Sequence, residues 1–333
     1  MSAETFGIES FTGIRPTADL TVANYLGAIQ PILEQEAQGT EASVFLAELH
    51  AATTSSPMEI MTHSEQLTRT LMASGVRGEI YSQFQVKDLV AQTEIAIRGL
   101  TTVSRLLRLP TLKDKIAQSD KPESASAALL LYPTLMAADI ILARPRFVPT
   151  GKDQKPHIEI TNELIRAFNR EYGAQLPEPQ PRTAEPINIA SLDQSGRKMS
   201  KSIPKGAIFL DDTEAAARKK IMQAPTASQP GAQMNRAVDN LTAIAEGLTT
   251  DTDQIKLIYE LGNSTKDGAR TTKEFKLEVA DVAVAFLKDL DEKRSSISAQ
   301  AVKERLARGN EWFRPIGTTT LSYIDLKQWG MQS

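Results

Sequence analysis

Residues 196 to 204 read Gly196, Arg197, Lys198, Met199, Ser200, Lys201, Ser202, Ile203 and Pro204, too hydrophilic for a core and bounded by two residues that punctuate regular structure. The segment reads as a surface loop. Ammonium groups, hydroxyls and backbone N–H groups suit phosphate oxygens, because each turns positive charge or a dipole towards the charge accumulating there. A polyphosphate is the first ligand this loop suggests. The plain alternative is a solvated basic turn, which is what most charge runs are. A second candidate is Asp139, which interrupts the otherwise apolar run Thr134 to Leu142; its neighbours at helical spacing are Leu135, Met136, Leu142 and Ala143. An unpaired buried carboxylate costs several kcal/mol, so either another part of the protein or a ligand donor must satisfy it.

These residues need a scaffold, and the spacing of apolar residues predicts one. Phe6 to Ile14 reads as a strand that runs into a turn at Arg15, Pro16, Thr17 and Ala18, and a helix with Asp19 as N-cap covers Leu20 to Leu33. Strands follow at Ala42 to Ala47 and Glu79 to Gln83, with helices over Ser64 to Met72 and Asp88 to Leu109. Short apolar strands alternating with amphipathic helices predict an α/β, doubly wound parallel sheet. Arg146 to Thr150 reads as a further strand, with Gly151, Lys152 and Asp153 turning into a helix that has Pro156 in its first turn and ends near Tyr172. Gly151, Asp153 and Gln154 therefore stand beyond the carboxyl end of a strand, where ligands bind in such sheets. Gly151–Lys152 is no P-loop, since Arg146 stands where its first glycine belongs and Asp153 replaces the magnesium-holding hydroxyl. Residues 173 to 186 hold four prolines and no periodicity, and Ile187 to Leu192 reads as a last strand leading to the lysine loop. Beyond Asp211, helical spacing dominates: 213–222, 238–248, 253–261, 275–290 and 299–306. The basic residues of this part, Arg218, Lys219, Lys220, Arg270, Lys273 and Lys276, are either solvated helix faces or RNA contacts.

Composition sets outer bounds. The 333 residues suffice for two domains, and the net charge of −3 means that any nucleic acid must be met by a local basic patch. Without cysteine there are no disulfides or thiolate metal sites, and His50, His63 and His157 fall in no metal-binding spacing, so no metal site is expected. No Gly-x-Gly-x-x-Gly follows a strand, and no stretch approaches the ~20 apolar residues of a membrane span. A cytoplasmic location is expected.

Taken together, the motifs resemble those of the tryptophanyl-tRNA synthetases, class I enzymes. KMSKS stands complete at 198–202, MAADI lies within Tyr132 to Leu142, and FVPTGKDQKPHIEITNELIRAFN spans Phe147 to Asn169. Phe11 to Ala28 is similar to the family's first nucleotide-binding element. The resemblance implies a Rossmann-like catalytic domain over 1–212 and a helical, tRNA anticodon-binding domain over 213–333. It implies that tryptophan attacks the α-phosphate of ATP, Mg2+ being held through the phosphates, and that the tryptophanyl group then passes from the adenylate to tRNA(Trp). Such chemistry asks for positioning and charge neutralisation rather than a general base.

By motif position, Lys115, Lys198 and Lys201 would hold the leaving pyrophosphate. Arg15, Thr21, Ala23, Asn24, Gly151, Ser200 and Ser202 would surround ATP, with Asp153 at the ribose and Ile189 and Met199 at adenine. Asp139 would accept the indole N–H, Phe11, His50, Met136 and Thr150 would line the ring, and Tyr132 and Gln154 would meet the amino group. A homodimer is implied as well. Ala18 and Ala23 replace usual glycines, Arg15 a usual glutamine and Lys152 a usual acid. The methyls are expected to narrow the backbone approach to the nucleotide, the charges to attract its phosphates. A second reading is a synthetase-like paralogue that senses tryptophan or nucleotide.

Overall fold

Strand β1 (Ile8–Ile14) contributes side chains to two cores, one on each face of the sheet. Ile14 packs with Val44, Leu46 and Ile80 on one face of the sheet, while Phe11 packs with Phe45 and Tyr81 on the other. The computed structural model describes residues 6–17, 19–117, 126–149, 151, 155–182, 189–193, 197–201, 203–226, 231–269 and 271–324. Five parallel strands, β1 with β2 (Ala42–Leu46), β3 (Ile80–Ser82), β4 (Pro145–Pro149) and β5 (Gln180–Arg182), lie in the order β3-β2-β1-β4-β5. This is the Rossmann-like, doubly wound sheet expected. Strand β2 is buried throughout, hence its nearly unbroken apolar run. Gly13 pairs with Phe45, and only a residue without Cβ fits there, since a Cβ would come within 2.4 Å of the Phe45 ring.

Helices cover both faces. After β1 the chain forms α1 (Val22–Asn24), a π-helical stretch Tyr25–Ile29 and α2 (Gln30–Ala37). The N-cap is Thr21 rather than Asp19, because Leu20 and Val22 are held in extended pairing: Leu210 N–H donates to the Leu20 carbonyl at 2.8 Å, and Val22 N–H to that of Ile208 at 2.9 Å. Next come α3 (Glu48–Ala51) and α4 (Pro57–Ala73). The helix expected over Asp88 to Leu109 is two, α5 (Lys87–Arg98) and α6 (Val103–Leu106), broken at Gly99 and restarted by a Thr102 cap. Helices α7 (Pro110–Ala117), α8 (Ala127–Ala143) and α9 (Lys155–Tyr172) complete this half.

The last strand of the sheet falls within the proline-rich stretch. Strand β5 pairs only with β4. Its Pro181 is tolerated because an edge strand needs no ladder on its outer side. The stretch from Ile187, by contrast, is no sheet strand where it is described: Ala190 bridges Lys198 instead. Four helices follow, α10 (Glu214–Gln223), α11 (Ala232–Leu248), α12 (Thr252–Lys266) and α13 (Thr272–Ser296), and α14 (Ala299–Leu321) returns to the far edge of the sheet. There Gly309 presses on β3 so closely that a Cβ would lie 1.9 Å from the Ile80 carbonyl oxygen. The Ser82 N–H donates to Asn310 Oδ1 at 2.9 Å, and Arg305 donates to the carbonyls of Arg77 and Gly78. No described helix is long and apolar enough to cross a membrane.

Candidate active site

Two groups of side chains stand at the carboxyl ends of the strands. The first is built from backbone. Beyond β1, Thr21 and Asn24 form a capping box: Asn24 N–H donates to Thr21 Oγ1 at 3.3 Å, while Thr21 N–H and hydroxyl donate to Asn24 Oδ1 at 3.0 and 2.9 Å. The lysine loop is fastened at both ends. On entry, Ser191 N–H donates to the Arg197 carbonyl and Met199 N–H to that of Ile189, each at 2.8 Å; on exit, Ile208 and Leu210 pair with the start of α1. Between these anchors Lys201 Nζ reaches the turn after β1, donating to the Thr17 carbonyl at 3.1 Å and hydroxyl at 3.0 Å. Partial burial lowers the Lys201 pKa, and nearby Arg15 adds to this while Asp19 opposes it. Lys198 is exposed.

The second group is built from side chains. Asp139 is 1% exposed, and each carboxylate oxygen has a partner: His50 Nε2 at 2.8 Å on Oδ2 and Gln83 Nε2 at 2.7 Å on Oδ1. The Gln83 amide cannot flip without loss, because its Oε1 accepts the Leu49 N–H at 2.9 Å. Burial pushes the Asp139 carboxyl up; the bonds from His50 and Gln83 pull it back. Phe11 stacks on Phe45 with ring centroids 4.7 Å apart, and Tyr81 continues the stack to Phe313 at 4.0 Å. Tyr132, Met136 and Asp139 share one face of α8 by their i, i+4, i+7 spacing. The Tyr132 hydroxyl lies 2.7 Å from His157 Nε2 and donates to Thr111 Oγ1 at 3.1 Å.

The structure thus joins His50 to Asp139 and Lys201 to the turn holding Arg15. Four expected site residues have defined surroundings. The Met199 N–H donates to the Ile189 carbonyl, so these two groups are spent on each other. Ala23 is 2% exposed and its methyl belongs to the first core, and Thr21 is fully buried, so Asn24 is the exposed residue of this helix start. Phe11, 1% exposed, is a member of the aromatic stack. Thr150, Asp153, Gln154 and Ser202, like Ala18 and Lys152, lie outside the described residues, as does the side chain of Lys115 on α7; Gly151 follows β4 as expected. Gln83 and Thr17 escaped the sequence reading. The signal for Gln83 was present, a polar residue ending a strand; Thr17 had none beyond its place after β1.

A sequence profile of the class I tRNA synthetases for tryptophan and tyrosine matches residues 5–295. The tryptophan--tRNA ligase of Brucella melitensis is 30% identical, over 98% of this chain and 99% of its own length. The chain belongs to the tryptophanyl-tRNA synthetases. Two solved structures agree with this synthetase throughout: the tryptophanyl-tRNA synthetase of Mycoplasma pneumoniae, 28% identical with a TM-score of 0.81 over 98% of both chains, and that of Campylobacter jejuni complexed with ADP and tryptophan. The second is also 28% identical, with a TM-score of 0.81 over 97% of this chain and 100% of its own.

Proposed function

We propose that the protein is a tryptophan–tRNA ligase, and that the observation carrying the reading is the buried Asp139 held between His50 and Gln83 at the end of an aromatic stack. Each carboxylate oxygen keeps a lone pair after these bonds, and an indole N–H is the donor that fits among aromatic rings. Tryptophan attacks the α-phosphate of ATP to give tryptophanyl-adenylate and pyrophosphate, and the adenylate is passed to the 3′ end of tRNA(Trp). Lys198, Lys201 and Lys115 neutralise the leaving pyrophosphate. Asn24 and Gly151 line the nucleotide with Thr21 buried behind Asn24 as its capping partner, Ile189 and Met199 back adenine, and Asp153 meets the ribose. Thr150 borders the ring with Met136, while Tyr132 and Gln154 take the amino group.

The side chains at the phosphate end, Arg15, Thr17 and Lys201, are partners for phosphate oxygens rather than for a cation. Mg2+ would therefore be held by the phosphates of ATP, where it offsets their charge. Residues 1–212 serve catalysis, and 213–333 supply the helices that meet the anticodon. Within these helices Arg218 is paired with Asp281 and Lys220 with Asp212, and Lys276 donates to the Ala224 carbonyl, so RNA phosphates are left to exposed residues such as Lys219 and Lys273. A homodimer in the cytoplasm is the form proposed, with exposed Ile95 on α5, Val103 on α6 and Leu107 just after it offering apolar surface. The test is ATP–pyrophosphate exchange driven by tryptophan and, separately, by tyrosine, followed by charging of tRNA(Trp). Exchange with tryptophan alone is expected; exchange with neither, or equally with both, would sink the reading.

A further inference from the structure

The segment Ile189–Ser191 lies between the lysine loop and helix α11. On the loop side it makes the two backbone hydrogen bonds that bracket Lys198. In such antiparallel pairing the residue between them turns its own N–H and carbonyl to the opposite edge. That residue is Ala190, and both groups meet one side chain: Ala190 N–H donates to Asn240 Oδ1 at 2.7 Å, and Asn240 Nδ2 donates to the Ala190 carbonyl at 3.0 Å. A single amide supplies what a neighbouring strand would. Two helical turns later, on the same face of α11, Gly247 makes room for Leu26, since a Cβ there would lie 2.6 Å from Leu26 Cδ2. Leu26 belongs to the π-helical stretch that follows the Thr21–Asn24 capping box. One helix of the C-terminal half therefore touches the elements behind both nucleotide-side motifs.

We propose that Asn240 is a positioning residue for adenylate formation: it fixes the height and register of Ile189–Ser191 and, through that pairing, the placement of Lys198 and Lys201. The proposal rests on the reading of this loop as the pyrophosphate-binding element. Asn240→Leu removes both hydrogen bonds, and Asn240→Asp keeps the acceptor for Ala190 N–H but sets an oxygen against the Ala190 carbonyl. In the ligand-free protein, amide hydrogen exchange at Ser191 and Met199 should quicken about tenfold or more in both variants, as local opening becomes easier. In pyrophosphate exchange, kcat should fall about tenfold while tryptophan affinity, measured by calorimetry, stays put. On a Lys201→Ala background the loss should largely vanish, because both changes act on one unit. Unchanged amide exchange overturns the clamp whatever the activity does. A kcat loss that adds in full to that of Lys201→Ala, or that comes with equally weakened tryptophan binding, overturns the positioning role. Should Lys201→Ala leave kcat intact, the loop reading fails, and the amide exchange still judges the clamp.

Discussion

The two halves of the site are held by opposite means. At the phosphate end the contacts are backbone pairings at the margins of a loop, and the lysines themselves are exposed or rest on a single threonine. At the ring end the decisive groups are side chains, with Asp139 and Gln83 buried and His50 partly so, and both Asp139 oxygens and both ends of the Gln83 amide are matched to partners. Charge that develops only as pyrophosphate departs is best met by groups that can follow it, whereas a flat aromatic ring with one N–H is best read by groups that cannot move. Asp139 and Phe11 are each 1% exposed, so an incoming ring must displace what covers them. Movement is thus expected at both ends, a small local opening around the ring and a broader adjustment around the phosphates.

The lysines should break this contrast most severely. Lys198→Ala and Lys201→Ala are each expected to lower kcat for adenylate formation about 10²–10³-fold, the scale on which a preorganised donor to transition-state charge acts, with tryptophan affinity nearly unchanged. Stopped-flow single turnovers and tryptophan calorimetry separate the two. Equal losses in both would place the loop at the ring instead.

At the other end, Asp139→Ala should weaken tryptophan binding by about 1.5–3 kcal/mol, the range of a hydrogen bond to a charged group, and Asp139→Asn should do so less. The carboxyl sits above its ordinary pKa because of burial, so its contribution to folding is full at low pH and is lost as pH rises through the folded value. Melting curves should accordingly show Asp139→Asn gaining on the parent as pH rises above the usual carboxylate range. A constant gap from pH 4 to 8 would mean that the carboxyl titrates as it does unfolded.

Gln83→Ala sharpens the comparison, for it leaves the carboxylate and removes only its holder. Leu49 N–H and one Asp139 oxygen lose their partner, which should cost about 1–3 kcal/mol of stability and raise the tryptophan KM severalfold while the ATP KM stays. If tryptophan kinetics do not change, Asp139 is positioned by His50 alone. The smallest effect belongs to Ala23→Gly. With the methyl packed in the core, glycine should cost about 0.5–1 kcal/mol of stability and leave the ATP KM unchanged at low and high salt. A lowered ATP KM would return this methyl to the nucleotide.

Much of this was legible before any coordinates. Apolar alternation around Phe11 and short strand-like runs around Phe45 and Tyr81 read as strands, and an acid in an apolar helix is unusual enough to single out Asp139 on cost alone. What escaped were choices settled by distant partners. Strand β5 is short, carries a proline and owes its place to β4; the Ala190 segment spends its hydrogen bonds on Lys198 and Asn240 rather than on the sheet. The α1 cap moved from Asp19 to Thr21 because residues near Leu210 pair with the chain there. Ala23 could not be oriented from spacing, since a helix start has neighbours on several sides.

The seat of α14 on β3 bears on how the protein is made. Ser82 and its partner Asn310 are 228 residues apart, so one border of the sheet belongs to the earliest part of the chain and its cover to the latest. While the nascent chain is still emerging, the strand that carries Tyr81 and leads into Gln83 has an open row of hydrogen-bonding groups, the kind of border on which foreign strands add. Ordering of β3, and of Gln83 that follows it, is expected to wait until α14 has been made.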